Sequence, residues 1–328
     1  MFDKIKNPIR FQGDLTKNNY FEGWYYKHVS VDKKTSISFI PGVNLFKGDE
    51  HSFIQYIYVT LNEQNEKTTK TGYIRYRLDE FSYQAYPFLV QIGQTIFTES
   101  FVSIYLKDEQ FTIQGKIGLG TFQQIKTSIL SPSIMGMFAY IPKMECYHGV
   151  ISMNHHLQGT LTINNREVEF TNGKGYIEKD WGTSFPKEYI WIHSNHFKNE
   201  NTSLFFSIAH IPFHVTTFKG FICNLIVNDK EYRFATYNGS TAKIVSQTKD
   251  TALIVLKNKE VELTIQGMIT SSGKLIAPKN GSMNKAIKEG LSGEIDILLK
   301  DKKKQTNMDG DNISDNINIE SDERSLER

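Results

Sequence analysis

Apolar and polar residues alternate in short runs along most of the chain, and turn residues close each run. In residues 20–28, Glu22, Trp24, Tyr26 and His28 fall on one side of the alternation and Phe21, Gly23, Tyr25 and Lys27 on the other, the two-residue period of a strand. The turn Asp32-Lys33-Lys34 leads into a second strand over 36–40, and further runs occupy 53–59, 73–78, 101–106 and 111–114. The same style resumes at 203–210, 220–227, 232–237, 251–256, 261–268 and 293–299. Many short strands at this spacing predict an all-β protein, a barrel or a sandwich. The exception is residues 278–290, where Ser282 reads as an N-cap with Ile287 and Leu291 facing inward, so one short C-terminal helix is expected. Residues 301–328 are polar with scattered apolar positions, and a disordered tail is expected there. Residues 128–142 carry Ile134, Met135, Met137, Phe138 and Tyr140 between prolines and are too apolar for an ordinary exposed loop. They either cap the mouth of a barrel or pack as a crossover against the outside of the sheet.

Shifting the chain by 167 positions sets Trp24 on Trp191, Thr35 on Thr202, Ser36 on Ser203 and Phe39 on Phe206. A repeat of this length predicts two similar β-units rather than a solenoid, whose periods are shorter. It divides the chain into residues 1–170, 171–300 and the tail 301–328. It also makes the Glu22-Trp24-Tyr26-His28 face equivalent to a Tyr189-Trp191-His193-Asn195 face.

Candidate chemistry concentrates in residues 175–186, Gly-Tyr-Ile-Glu-Lys-Asp-Trp-Gly-Thr-Ser-Phe-Pro. On a strand, Tyr176, Glu178 and Asp180 share one face, and Ile177, Lys179 and Trp181 the other. When two carboxylates share a face shielded from water, repulsion and desolvation favour the protonated form of one, which makes it a proton donor near neutrality. In open solvent the same pair is only surface charge. After the turn at Gly182 to Pro186, the residues Tyr189, Trp191, His193, Asn195 and Phe197 alternate on one face, an aromatic wall with a few polar groups.

Composition narrows the classes. With 39% hydrophobic and 23% charged residues the chain reads as soluble and globular, and 22 Phe with 16 Tyr suit β-structure and apolar pockets. A net charge of +2, with no lysine or arginine cluster except Lys302 to Lys304, argues against a nucleic-acid binder. Two cysteines, Cys146 and Cys223, are too few for a disulfide scaffold and fit a reducing compartment. The N-terminus lacks an apolar leader and no run of about 20 apolar residues occurs. A cytoplasmic protein is therefore expected, and an apolar substrate would have to be collected by transient, peripheral contact with a membrane surface.

Four ordered motifs resemble the tocopherol cyclase family: residues 175–186, Tyr-Phe-Glu-Gly-Trp-Tyr-Tyr-Lys at 20–27, Phe-Ile-Pro-Gly at 39–42, and Met-Glu-Cys-Tyr-His-Gly-Val-Ile-Ser-Met at 144–153 with His155 or His156 just after. The resemblance implies an enzyme that closes the chromanol ring of a prenylated quinol. It also implies a two-part lipocalin-like (calycin-type) all-β fold of antiparallel barrels or half-barrels, similar to that of the carotenoid hydratases. Such chemistry needs a general acid for the alkene, π-faces for the tertiary cation and partners for the phenol. Asp180 and Glu178 are the acid candidates, with Glu22 and Glu145 behind them. Trp24, Tyr26, Trp181 and Trp191 are candidate walls, although Trp24 and Trp191 also fit as plain core aromatics. His148, His193 and Asn195 are candidates to orient the quinol hydroxyls, and the family's usual pattern carries Gln at the position of His193. The histidines show no metal-ligand spacing, and no phosphate, dinucleotide or hydrolase motif occurs, so cofactor-free chemistry is expected. Rival readings are an alkene hydratase, a non-catalytic carrier of an apolar ligand and a glycan-active β-protein.

Overall fold

The alternating runs pair into two antiparallel sheets. The computed structural model describes residues 2–61, 64, 66–109, 111–213, 216–302, 317–321 and 326–327. After a five-residue helical turn, α1 (Phe2–Lys6), come β1 (Phe21–Val29), β2 (Thr35–Asn44), β3 (His51–Leu61), β4 (Lys67–Tyr76), β5 (Phe81–Ala85), β6 (Phe88–Ile92), β7 (Thr95–Thr98), β8 (Phe101–Lys107), β9 (Thr112–Leu119), β10 (Cys146–Ile163), β11 (Arg166–Glu169) and β12 (Lys174–Gly182). The second series is β13 (Tyr189–Ser194), β14 (Thr202–Phe213), β15 (Thr216–Val227), β16 (Lys230–Ala235), β17 (Thr241–Gln247), β18 (Thr251–Lys257), β19 (Val261–Lys279), β20 (Ser282–Asp301), β21 (Ile317–Ser321) and β22 (Leu326–Glu327).

The first sheet runs β4-β3-β2-β1-β12-β10-β9-β8-β7-β6-β5, with β11 beside β10. The second runs β16-β15-β14-β13-β22-β20-β19-β18-β17, with β21 beside β20. In each sheet the two edge strands are consecutive in sequence and joined by a 3-10 turn, Leu78–Glu80 between β4 and β5 and Thr236–Asn238 between β16 and β17. Neither pair of edges forms a ladder among the described residues, so each sheet is a lipocalin-like half-barrel rather than a closed barrel. The all-β expectation holds. Both sheets begin with four strands in order, a 3-10 turn follows the fourth, and the last strand of the series pairs with the first, a shared plan with two more strands in the first sheet.

The core of the first sheet gathers Trp24, Tyr26, Phe39, Ile54, Phe97, Ile117, Leu161 and Ile177. That of the second gathers Ile190, Ile192, Leu204, Phe206, Cys223, Phe234, Ile254 and Leu263. These memberships correct the expected equivalence of the two aromatic faces. Trp24 and Tyr26 enter the first core, whereas in β13 it is Ile190 and Ile192 that enter the second, so Trp191 and His193 alternate onto its other side. The cause is a one-residue change of register: Tyr26 pairs with Phe39, but His193 pairs with Phe205 rather than Phe206. On a two-residue period, one step exchanges the faces.

Compact units also divide differently from the sequence estimate. They are Met1–Pro186 with Gly273–Lys288, and Lys187–Ser272 with Glu289–Arg328. The expected boundary near 170 would have cut off β12, which instead lies between β1 and β10 in the first sheet. The predicted helix over 278–290 is a correction too. Residues 279–282 turn one long strand, β19, into another, β20, through Asn280 and Gly281 at φ +52° and +84°. Asn-Gly with both residues at positive φ is the two-residue hairpin turn, and Ile287, read as part of an inward helix face, is a buried position of β20. The turn is anchored by Asn280 N–H to Ser184 Oγ at 2.6 Å and Gly281 N–H to the Thr183 carbonyl at 2.5 Å. A Cβ on Gly281 would stand 2.5 Å from Asn19 Cα. Gly281→Ala is therefore expected to cost about 1–3 kcal/mol, read as a lower urea midpoint at unchanged m-value. Of the expected disordered tail, β21 and β22 are strands, while 303–316, 322–325 and 328 lie outside the described residues. β21 pairs antiparallel with β20, from Ile295 opposite Ser321 to Leu299 opposite Ile317.

Candidate active site

β12 has a neighbour on each side, so every side chain on it meets cross-strand partners from two strands. Glu178 lies opposite Tyr25 of β1 and Val150 of β10, and Asp180 lies opposite Gly23 and His148. Directly opposed side chains on one face are within reach of one another. The His148 ring uses that reach twice: Nδ1 is 2.8 Å from Asp180 Oδ1, and Nε2 is 3.4 Å from Glu178 Oε2. The Tyr176 hydroxyl donates to the same Glu178 oxygen at 2.5 Å, and Cys146 Sγ lies 3.9 Å from Asp180 Oδ1. Tyr25 sets its ring edge-on to Tyr176, centroids 6.4 Å apart, and its hydroxyl accepts a hydrogen bond from Ser38. Glu178 is buried, whereas the Asp180 side chain is 25% exposed.

A neutral imidazole has one donor and one acceptor nitrogen, but two carboxylates facing the two nitrogens both require donors. Burial works to lower the His148 pKa, and Asp180 and Glu178 together outweigh it, so the net direction is upward. The charged form of the imidazole is thus favoured above the ordinary histidine value, with Nδ1 2.8 Å from a partly exposed carboxylate. Burial first, then the adjacent Glu178, push the Tyr176 phenol well above its ordinary range, so it stays a donor.

Of the residues singled out in the sequence, the structure brings Glu178, Asp180 and His148 together. Glu22, Trp24, Tyr26 and Trp181 lie on the opposite face of the same strands, as the period of two requires. There Glu22 pairs with Lys179 at 2.5 Å, both fully buried, and also accepts from the Tyr20 hydroxyl and the Gln12 and Gly13 amides. Lys179 donates to the Pro8 and Arg10 carbonyls and sits over the rings of Trp24 and Trp181 at 4.6 and 5.0 Å. Trp24 donates to the Ile9 carbonyl, Tyr26 to that of Thr98, and Trp181 stacks on Tyr147. Glu22 thus ties the N-terminal segment to β1 and β12, and Trp24 and Tyr26 are fully buried in the first core. In the second unit Trp191 and His193 are in ring contact at 5.9 Å and, like Asn195 just after β13, buried. That unit also has a cleft of about 470 Å³ floored by Ile190, Ile208 and Ile244, with Lys187, His210 and Lys219 at its rim, and no member of the carboxylate cluster lines it. Among the described residues no three His, Cys, Asp or Glu side chains are disposed to hold a metal ion.

Tyr25, Tyr176 and Cys146 were not selected from the sequence. Tyr176 was legible, since it shares the alternation with Glu178 and Asp180. Nothing local marks Tyr25, which alternates opposite Trp24 on β1 and reaches Tyr176 only across the pairing with β12.

Residues 108–321 match the tocopherol cyclase-like family. The chain belongs to that family. The match takes in His148, Tyr176, Glu178 and Asp180 and most of the second unit. No curated protein matches the chain. Among solved structures, it is similar to CghA with Sch210972 (8% identity, 94% of this chain and 88% of that one, TM-score 0.56). It is also similar to kievitone hydratase from Nectria haematococca (10% identity, 94% and 87%, TM-score 0.53). At such identities these likenesses establish a common fold.

Proposed function

We propose that this chain is a cofactor-independent enzyme that protonates an alkene of an apolar prenylated quinol or phenol and closes a chromanol ring, with His148 as the proton donor. The observation that carries the reading is the imidazole bridged between Asp180 and Glu178 in a member of the tocopherol cyclase-like family. The imidazolium gives its proton to the less substituted alkene carbon. The tertiary cation so formed is faced by the rings of Tyr25 and Tyr176, and the phenol oxygen attacks it. The phenolic proton returns to the neutral imidazole, so product and substrate are isomers and the site is restored. Glu178, fixed by Tyr176, holds the ring in orientation, and the partly exposed Asp180 is its route to solvent protons.

A hydratase is the second reading, favoured by the fold shared with kievitone hydratase. In that case water takes the place of the phenol. One experiment separates the two. Incubation with a panel of prenylated quinols in D₂O is expected to give a chromanol carrying one carbon-bound deuterium; a product heavier by one water would select hydration. Organic ligand recovered unchanged, with no turnover of any quinol, would overturn both and favour a carrier.

A further inference from the structure

The segment between β9 and β10 ends at the site. Ile134 and Met135 are buried, and Met135 Sδ accepts the backbone N–H of His148 at 3.1 Å. A few residues earlier the same segment does the opposite. Residues 128–131 form a turn closed from both sides, Ser128 N–H to the Ser131 carbonyl at 2.9 Å and Ser131 N–H to the Ser128 carbonyl at 3.2 Å. The two residues at its apex are Ile129 and Leu130, 79% and 78% exposed. The Tyr140 hydroxyl donates to the Ile129 carbonyl at 2.8 Å, tying the apex to the 3-10 turn Gly136–Tyr140, on which Met137 is 55% exposed. Exposed turn apices are ordinarily Gly, Asn, Asp or Pro. Here a hydrogen-bonded turn displays two large aliphatic side chains, and a third stands on the element bonded to it. Exposed Lys126 and Lys143 lie on either side of this tip in sequence.

We infer that the tip formed by Ile129, Leu130 and Met137 docks into the surface of a lipid bilayer, with Lys126 and Lys143 attracted to anionic headgroups. Large exposed aliphatic side chains are what an interfacial element buries at the acyl boundary, and lysines carry the charge that anionic headgroups attract. The inference rests on the proposed apolar substrate, which partitions into membranes, and gives it an entry beside the segment that contacts His148. The two readings can fail separately, because docking is measured without turnover.

The test is flotation of the full chain with phosphatidylcholine vesicles and with vesicles that also contain phosphatidylglycerol. Wild type is expected to float with the vesicles, more so with the anionic ones. Ile129→Ser/Leu130→Ser is expected to reduce partitioning at least about tenfold, since it removes two apolar side chains from the interface. Both positions are exposed, so the melting profile should be unchanged. As a second readout, Leu130→Trp should show a blue-shifted emission on adding vesicles. Absence of flotation by wild type, equal partitioning of the double variant, or an unshifted Leu130→Trp spectrum would each overturn the inference. So would a concentration-dependent dimer that the double variant abolishes without vesicle binding, which would assign the tip to a second copy.

Discussion

Ring closure by the His148→Gln protein is expected to be slower by about 10²–10⁴-fold, the usual contribution of a positioned general acid. Glutamine keeps a hydrogen-bonding side chain near Asp180 but cannot carry the proton, so thermal stability should fall far less than the rate. The pH profile tests the assignment more sharply. The His148 pKa is raised above the ordinary 6.5 because the two carboxylates outweigh burial. The acid form therefore persists above that value, and kcat/KM should decline only as pH rises through the elevated pKa. Asp180→Asn removes the nearer anion and should move that decline to lower pH. The same sign governs stability: the contribution of the charged His148 is complete below about pH 6.5 and is lost as pH rises through the folded-state value. Unchanged kcat/KM in His148→Gln, or a decline that ignores Asp180→Asn, would remove His148 from the donor role.

Lys179→Met is expected to destabilise the protein by about 3–5 kcal/mol, the cost of leaving one member of a buried ion pair without the other. The Glu22 carboxylate would keep Tyr20 and two backbone amides but lose its countercharge, and the Pro8 and Arg10 carbonyls would lose their donor. Glu22→Gln should be costly for the converse reason, and the double variant should lose less than the sum of the singles. Burial pushes the Lys179 ammonium down to about 8, Glu22 pulling the other way. Between that value and the ordinary lysine value of 10.5, the unfolded chain binds more protons. Wild-type stability therefore gains a contribution that grows as pH rises across this window and is lost as pH falls through 8. Urea midpoints of wild type and Lys179→Met should therefore move further apart as pH rises over that range; parallel curves would mean that the lysine titrates as it does in water.

Much of this was legible in the chain. Period-two alternation gave the strands and put Tyr176, Glu178 and Asp180 on one face, because that inference needs only local geometry. What failed was long-range or depended on register. That Glu22, on β1, would meet Lys179 rather than Glu178 follows only once β1 is known to pair with β12. His148 was placed among the groups that orient substrate, since nothing local shows that its strand sets it opposite Asp180. Residues 278–290 are locally ambiguous, since the apolar spacing of Ile287 and Leu291 fits a helix while Asn280-Gly281 fits the hairpin that the chain adopts. The aromatic faces of the two halves were equated by a sequence shift blind to a one-residue register change.

The alternation Glu178-Lys179-Asp180 has a practical consequence for protein engineering. One strand carries the acid groups on one side and the anchor of the N-terminal segment on the other. Loss or gain of a single residue between 174 and 177, if no bulge absorbs it, would send both carboxylates to the side of the tryptophans and the lysine to the side of His148. Libraries that aim to change substrate range should therefore keep the length of this strand fixed and diversify its neighbours, Tyr25 on one flank and Val150 on the other.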